Sequence, residues 1–349
     1  MPVTTVRIEP LDPHAITEDQ IAAVHVLMSR SEAERFPNDP PRPLEQTAAL
    51  FRNIPPFFDL RIWAAGTEDR STLLGYGILV MPRTEENQHA AQIEMEVLPE
   101  ARRHGLAKRL LIPIVDAAAQ AGRRLLIANT NSNQPGGAAL MERLGAGAAL
   151  VGHINQLVVA GVDRAMLRAW QEHAETHAPN FTLGLWEGAY PDSHLDEIAA
   201  LFQAMNLAPR GDLDVEDFRW TPEQMRQIQD MKIGRGGIPW TMYLRDSTTG
   251  ELAGFTEINW NPSQPGVVWQ GGTAVWPKYR NQGLGRRLKA AMLEKVLRDR
   301  PQVEYIRTEN ADSNAAMLKI NQELGFRPYY SETTWQVPVD QVRAYLGTT

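Results

Sequence analysis

The stretch RNQGLGRRLK, residues 280 to 289, places two glycines among four basic side chains, in a chain whose net charge is −7. The residues that follow it read as a helix. The first N–H groups of a helix have no internal partner and carry partial positive charge. Because glycine has no Cβ, a ligand can approach these groups closely. The stretch therefore predicts that an anion, such as a diphosphate, binds at a helix N-terminus.

The chain contains this pattern twice. VLPEARRHGLAKRLL at 97–111 resembles VWPKYRNQGLGRRLK at 275–289, and Gly105 precedes Gly283 by 178 residues. Three further pairs of segments keep offsets of 177 to 180 residues in the same order: DQIAA with DEIAA, LLGYGI with LAGFTEI, and MERLGA with NQELGF. So long a repeat indicates duplicated domains and not a solenoid. The sequence predicts an N-terminal domain at 1–160, a linker helix at 161–178 and a C-terminal domain at 179–349.

Each copy reads as an α/β domain with a mixed central sheet flanked by helices. A strand that ends in Val-x-Pro precedes the glycine loop, and a long helix follows it, at about 105–121 and 283–298. Proline cannot donate to a strand ladder, so we expect pairing on one side to stop at Pro277 and the strand to splay from its neighbour. We expect the last strand of each copy, near 150–159 and 329–337, to close that same copy.

Composition narrows the function classes. The acidic balance argues against general nucleic-acid or membrane affinity. The chain has no cysteine, which excludes disulfides and a cysteine nucleophile, and it has no apolar run of the roughly 20 residues that a membrane span needs. The N-terminus lacks a signal-peptide pattern, so we expect a soluble, cytoplasmic protein, with monomer and homodimer both open. His173 and His177 are spaced as a metal pair, but a polar linker helix explains them better, and we expect no metal.

Other glycine-loop motifs fit these residues poorly. A P-loop needs Gly-x4-Gly-Lys-Ser/Thr, which is absent. A dinucleotide fingerprint needs Gly-x-Gly-x-x-Gly directly after the first strand, and residues 283–288 lack the third glycine. The segment GAGAAL at 145–150 follows a helix, where a C-terminal cap is the better interpretation.

The loop and its surroundings resemble the GNAT family of N-acetyltransferases. Residues 275–285 match Val-x-Pro-x-x-Arg-x-x-Gly-x-Gly/Ala throughout, and residues 97–107 match it with alanine in the last place. NADSNAAMLKINQELGF at 310–326 resembles the second family signature, and NTNSNQPGGAALMERLGA at 129–146 is a blurred version of it. The resemblance covers nearly the whole chain and implies two tandem domains of this family, an architecture similar to that of mycothiol synthase.

The resemblance implies that acetyl-CoA is the cofactor and that its pantetheine arm pairs with the splayed strand. The loop amides would hold the diphosphate, and an asparagine on the next helix would contact the cofactor. In the second copy these residues are Thr273, Ala274, Val275, Arg280, Asn281, Gln282, Gly283, Leu284, Gly285, Arg286 and Asn314. In the first copy they are Val97, Arg102, Arg103, His104, Gly105, Leu106, Ala107 and Lys108. For Arg287 and Lys289 we expect a solvated helix face.

The acceptor amine must lose a proton, so a carboxylate should lie near the thioester. We take Glu257 and Glu309 as the candidate bases of the second copy, and Glu94 and Glu96 as those of the first. The family tyrosine that protonates the leaving thiolate is replaced by Asn321. Tyr329 is a substitute, with Tyr330 as its neighbour, unless the thiolate leaves unaided.

The second copy keeps the fuller loop and signature, so we expect it to be the catalytic half. The expected reaction is transfer of an acetyl group from acetyl-CoA to the primary amine of a small acceptor. The acidic run at 212–217 suggests that this acceptor is cationic. The alternatives are acetylation of a protein or peptide amine, and a non-catalytic acyl-CoA-binding regulator.

Overall fold

The structure is a computed structural model that describes residues 6–68 and 72–347, so the predicted domain ends at residues 1 and 349 lie outside it. The chain forms two compact units that are not continuous in sequence. The N-terminal unit takes the chain up to Val151, together with Gly211–Glu216 and the chain from Glu332 onward. The C-terminal unit takes Gly152–Arg210 and Asp217–Ser331. These units therefore exchange segments across the boundary that the repeat suggests.

The first copy supplies six strands and four helices within the described residues. Its strands are β1 (Val6–Leu11), β2 (Phe58–Thr67), β3 (Leu73–Pro82), β4 (Ala90–Val97), β5 (Leu125–Asn131) and β6 (Gly147–Val158). Its helices are α1 (Glu18–Arg35), α2 (Leu44–Arg52), α3 (Leu106–Gln120) and α4 (Pro135–Arg143).

The second copy repeats this order after one additional helix, α5 (Arg164–His177), which forms where the linker helix is predicted. Its strands are β7 (Phe181–Glu187), β8 (Ile238–Asp246), β9 (Leu252–Trp260), β10 (Val267–Val275), β11 (Tyr305–Ala311) and β12 (Arg327–Pro338). Its other helices are α6 (Leu195–Phe202), α7 (Pro222–Gly234), α8 (Leu284–Asp299), α9 (Ala315–Leu324) and α10 (Val339–Leu346).

Each unit contains a mixed sheet of six strands, which confirms the predicted fold class. The strand order is β1-β2-β3-β4-β5-β12 in the N-terminal unit and β7-β8-β9-β10-β11-β6 in the C-terminal unit. Only the β4–β5 and β10–β11 pairs are parallel among the pairs that we describe. Apolar faces of α3 and α8 cover these sheets, and their leucines, such as Leu110 and Leu288, are fully buried.

The last strand of each copy completes the sheet of the other unit, which corrects our expectation that it closes its own. Gly152–Val158 of β6 pairs antiparallel with β11, and Glu332–Pro338 of β12 pairs antiparallel with β5. The helices that follow travel with these strands, because α5 packs on α8 and α10 packs on α3. Two copies of one sequence offer equivalent places for a terminal strand, so exchange leaves the same ladder contacts available.

The central parallel pair separates in both units, and it does so earlier than the proline rule predicts. Pairing of β10 with β11 ends at Gln270, whereas pairing of β10 with β9 continues to Val275 after a register shift between Gln270 and Thr273. A β-bulge in a strand bends it away from its partner. The separation therefore begins at this bulge and not at Pro277. In the N-terminal unit, β4 pairs with β5 only up to Ile93.

Candidate functional site

The predicted anion loop of the C-terminal unit leads directly into α8. Gly283 is the N-cap residue of this helix with a φ of +77°, and Asn281 also has a positive φ of +64°. The amide of Arg280 bonds to the Pro277 carbonyl, and the amide of Arg287 is the next to find a backbone acceptor. Among the described residues nothing accepts a hydrogen bond from the amides of residues 281–286. Six consecutive free donors with partial positive charge form a cradle for an anion.

Two arginines flank this cradle, and their contacts differ. The Arg280 side chain donates from Nε to the Val275 carbonyl at 3.0 Å, and it forms no ion pair within the described part of the chain. Arg286 instead makes a bidentate pair with Glu323, at 2.8 and 2.9 Å. Glu323 therefore neutralises Arg286, and Arg280 is the cation that remains available to a ligand.

The loop of the N-terminal unit has the same backbone. Arg103 has a φ of +66° and Gly105, the N-cap residue of α3, has a φ of +79°. Its first arginine is occupied, because Arg102 makes a bidentate pair with Glu34 of α1, with both distances 2.6 Å. This contact holds the pKa of Glu34 below its ordinary value. Lys108 lies over the ring of Tyr345, 5.1 Å from its centroid. A carboxylate thus stands beside the first loop, and none pairs with Arg280 of the second.

The cleft edge of β10 contains Thr273, Ala274 and Val275, which pair with β9 on one side and have no partner strand on the other in the described structure. The equivalent edge of the N-terminal unit ends at Val97, whose carbonyl accepts from Nε of Arg102 at 2.8 Å. Unpaired strand edges offer backbone donors and acceptors to an extended ligand. The position of this edge, directly before the loop, suits a ligand that has both an amide-containing arm and a diphosphate.

Glu257 and Glu309 lie on one face of the sheet, since Asn259, Trp269 and Arg307 are direct ladder partners and side chains alternate along a strand. Glu257 is already engaged. Its Oε2 accepts from Lys232 at 2.8 Å, and its Oε1 lies 3.4 Å from the amide of Gly272 in the bulge. Glu257 is therefore a support of the bulge, and its ion pair ties that support to α7.

Glu309 differs because no other described residue contacts its carboxylate with a hydrogen bond or an ion pair. It lies on β11 beyond Thr308, the last residue paired with β10, so it lines the opened part of the sheet. Its surface reaches solvent, yet the surrounding protein desolvates the carboxyl group and raises its pKa. A raised pKa brings a carboxylate closer to the value that suits a general base. Of the two predicted bases, Glu309 has the environment of a proton acceptor.

The residues proposed for the leaving thiolate are not brought together. Asn321 is buried and donates to Asn310 Oδ1 at 2.6 Å, while its own Oδ1 is buried without a partner. The ring of Tyr329 lies under the guanidinium of Arg307 at 4.6 Å, beside the closed part of the ladder. The Asn314 side chain caps α9 by accepting from Met317, at 3.4 Å. The role of Tyr329 as an acid remains a prediction.

The N-terminal unit has its own pair of carboxylates where its sheet opens. Tyr76 donates to Glu94 at 2.9 Å, and desolvation raises the pKa of Glu94. Glu96 is buried and accepts from Ser31 at 2.5 Å and from Arg35. Neither carboxylate has an equivalent in the C-terminal unit, where Gly272 and Ala274 follow the bulge.

Two basic residues of the opening stretch overturn our expectation of a solvated helix face. Arg287 is 6% exposed and Lys289 only 2%. Arg287 donates to the Phe181 carbonyl at 2.7 Å, which explains its burial. Lys289 has no such partner. The sequence contains a signal for this, because Lys289 stands 178 residues after Leu111, a core residue.

The acidic run at 212–217 does not line the cleft of the C-terminal unit. Asp214 lies 3.4 Å from Arg124 and 3.5 Å from His89, and Glu216 accepts from the Asn87 amide at 2.5 Å. These carboxylates attach Gly211–Glu216 to the N-terminal unit. They give no support to a cationic acceptor.

No group of three or more His, Asp or Glu side chains in residues 6–68 and 72–347 could hold a metal ion. His177 donates from Nδ1 to the His173 carbonyl at 2.8 Å, and the two rings stack. No helix of the described residues is long and apolar enough to cross a membrane.

Comparisons with known proteins agree with this geometry. The structure of a tandem GNAT protein from the clavulanic acid biosynthesis pathway matches with a TM-score of 0.78 and 24% identity, over 96% of this chain and 99% of that one. A GCN5-related N-acetyltransferase from Sphaerobacter thermophilus matches with a TM-score of 0.63 and 12% identity, over 95% and 96%. A putative acetyltransferase from Pyrococcus horikoshii matches with a TM-score of 0.55 and 14% identity, over 95% and 89%. At these identities the likeness shows the fold.

A search of curated protein sequences finds no match. The model of the acetyltransferase (GNAT) family matches residues 25–146 and again residues 197–326, which together make up most of the chain. Each match contains one of the two glycine loops. The chain therefore belongs to the GNAT acetyltransferase family, with one family domain in each half.

Proposed function

We propose that this protein is an acetyl-CoA-dependent N-acetyltransferase that acts on the primary amine of a small molecule, and that its C-terminal half is catalytic. The observation that carries the proposal is the row of free amides at 281–286 beside the unpaired Arg280. A cradle of six donors and a free guanidinium fits the two negative charges of a diphosphate.

The residues present fit coenzyme A. Residues 281–286 and Arg280 would hold the diphosphate, and the free edge of Thr273, Ala274 and Val275 would pair with the pantetheine arm. When bound, acetyl-CoA supplies an acyl group activated as a thioester. The remaining chemistry belongs to the chain, which must orient the acceptor, exclude water and remove a proton.

Glu309 is the group that we assign to proton removal. An acceptor amine is mostly an ammonium ion near neutral pH, and only its neutral form has a lone pair for attack. Glu309 lines the opened sheet, has no competing partner in the described structure and has a raised pKa. It accepts the proton either directly or through one water molecule.

The N-terminal half is the less suitable cofactor site, because Glu34 pairs with Arg102. A carboxylate next to the loop repels a diphosphate and competes for the guanidinium. The free amides and Lys108 remain, so we propose that this half binds coenzyme A weakly. Its carboxylates Glu94 and Glu96 would serve an acceptor only if that loop is filled.

One observation favours a second function, that of a non-catalytic acyl-CoA sensor. Asn321 stands where the family tyrosine is expected, and an amide cannot protonate a thiolate. Under the main proposal the coenzyme A thiolate, which has a low pKa for a leaving group, departs without a protein acid.

Release of free thiol from acetyl-CoA, measured against a panel of small amines and amine-bearing peptides, separates these functions. Turnover with a small amine supports the main proposal, and turnover with peptides alone replaces its acceptor class. Tight binding of coenzyme A with no turnover for any amine would establish the sensor and remove the enzyme.

A further inference from the structure

A buried polar cluster lies under the point where β10 and β11 separate. Gln270 donates from Nε2 to Thr256 at 2.8 Å and to Thr273 at 3.3 Å, and a hydrogen bond of 2.7 Å joins the two threonine hydroxyls. Ladder pairing places Gln270 beside Ile258 and Thr308, so the cluster faces α8. This is the opposite face from Glu309. The sheet thus opens between a base on one side and a polar cluster on the other.

Lys289 of α8 reaches into the same region. It is 2% exposed, and no described residue forms a hydrogen bond or an ion pair with its Nζ. Its nearest aromatic contact is the ring of Phe326, whose centroid lies 5.8 Å away. Lys289 and Gln270 together line a narrow cavity whose other walls are apolar, formed by Leu157, Ile258, Ile306 and Phe326 among others. A buried lysine without a partner is costly for a protein to keep.

The N-terminal half shows what this region requires for folding alone. Ladder register makes Ile93 the equivalent of Gln270, and Ala128 the equivalent of Thr308. Gly77 and Met95 pair with each other there, as Thr256 and Thr273 do in the C-terminal unit. Leu111 occupies the position of Lys289 and is fully buried. One fold therefore has an apolar core here in one half and a polar cluster with a lysine in the other.

The polar residues thus need an explanation beyond folding, and a bound anion supplies one. Burial lowers the pKa of Lys289 to about 7, because no anion within the protein stabilises the ammonium form. An anionic group in the cavity would restore the charge on Lys289 and satisfy the Gln270 amide. The cavity adjoins the end of the cleft where the reactive end of an acyl-CoA would lie.

We propose that this cavity receives the far end of the acyl chain, and that the preferred donor is a coenzyme A thioester of a short dicarboxylic acid. Its free carboxylate would pair with Lys289 and accept hydrogen bonds near Gln270. The narrow cavity favours a malonyl or succinyl chain over a longer one. The flexible Lys289 side chain has no partner that fixes it, so it can turn aside to admit the chain. This inference rests on the proposed function, since it needs coenzyme A in the second loop.

The test is calorimetric and needs no acceptor. Two unreactive thioethers are compared, S-(2-carboxyethyl)-CoA and S-propyl-CoA, which differ only in the terminal group. We expect the wild-type protein to bind the carboxylate at least tenfold more tightly. At pH 8, where Lys289 is mostly neutral, carboxylate binding should take up close to one proton, as buffers of different ionisation enthalpy report. S-propyl-CoA should take up none.

Lys289→Met should abolish both the preference and the proton uptake, and Lys289→Arg should keep part of the preference. Lys295→Met is the matched control. Lys295 is a buried lysine of the same helix that already pairs with Glu187 and Asp299, at 2.7 and 2.8 Å, so its loss should leave the preference intact. Equal affinity of wild-type protein for both thioethers would overturn the inference and leave the proposed function standing. If coenzyme A itself does not bind, the proposed function fails first.

Discussion

Replacing Lys289 by leucine should stabilise the C-terminal unit. The change installs the residue that the N-terminal half has at the equivalent position, Leu111, which is fully buried. Leucine and lysine have similar volumes, so the helix and sheet need little repacking. The variant removes an amine that must either give up its proton on folding or remain charged without a partner.

The size of the effect follows from the lowered pKa. Lys289 has a pKa of about 7 in the folded protein against an ordinary value of 10.5. Each tenfold loss of proton affinity on folding corresponds to about 1.4 kcal/mol, so the penalty is about 5 kcal/mol below pH 7. Between pH 7 and 10.5 the unfolded chain binds one more proton than the folded one. The free energy of unfolding of the wild-type protein should therefore rise with pH in that window, by about 1.4 kcal/mol for each step of one in pH.

Urea unfolding followed by tryptophan fluorescence measures this, because seven of the nine tryptophans lie between residues 170 and 276. We expect Lys289→Leu to gain about 4 kcal/mol at pH 7, and the gain to shrink steadily towards pH 10. Lys295→Leu should lose stability, since it breaks an ion pair. A Lys289→Leu variant that is no more stable at pH 7, or that keeps the wild-type pH slope, would refute the reasoning.

Three further predictions concern the carboxylates. Glu309→Gln should lower kcat by roughly 10²- to 10³-fold with little change in the KM for acyl-CoA, and it should remove the acid limb of the rate profile, which the raised pKa of Glu309 places above that of an ordinary glutamate; an unchanged profile would exclude Glu309 as the base. Glu257→Gln should instead cost about 1–3 kcal/mol of stability by leaving Lys232 unpaired, as urea unfolding reports, and a loss of kcat without a loss of stability would show that Glu257 acts in chemistry. Glu34→Gln should raise the affinity of the N-terminal loop for coenzyme A roughly tenfold by freeing Arg102, measured by calorimetry in a protein whose second loop is disabled, and unchanged affinity there would show that Glu34 does not compete with the ligand.

The local features of the fold could be predicted because they depend on residues close in sequence. Gly283 and Gly105 adopt the positive φ that the loop motif requires, and the helices after them begin where the pattern predicts. The α/β class and the duplication follow from a repeat that is visible in the letters alone. These inferences need no knowledge of distant contacts.

The errors concern long-range partners. Pairing of β6 with β11 cannot be predicted from either strand, since both copies present equivalent ladders and the choice depends on how the chain connects them. The separation of β10 from β11 comes from a bulge next to Gly271, where a Cβ would lie 2.8 Å from Glu257, and not from Pro277. The charge of Lys289 favours a surface position, although its register with Leu111 indicates the core.

The central claim is that the second loop holds the cofactor for catalysis. Thiol release from acetyl-CoA, with an amine that the wild-type protein accepts, should fall at least 100-fold in Gly283→Val. Gly105→Val should retain most of the activity. Gly250→Val is the control for backbone strain, because Gly250 has the same φ of +77° at a turn with no atom near its missing Cβ. Full activity in Gly283→Val together with its loss in Gly105→Val would contradict the account and assign catalysis to the N-terminal half.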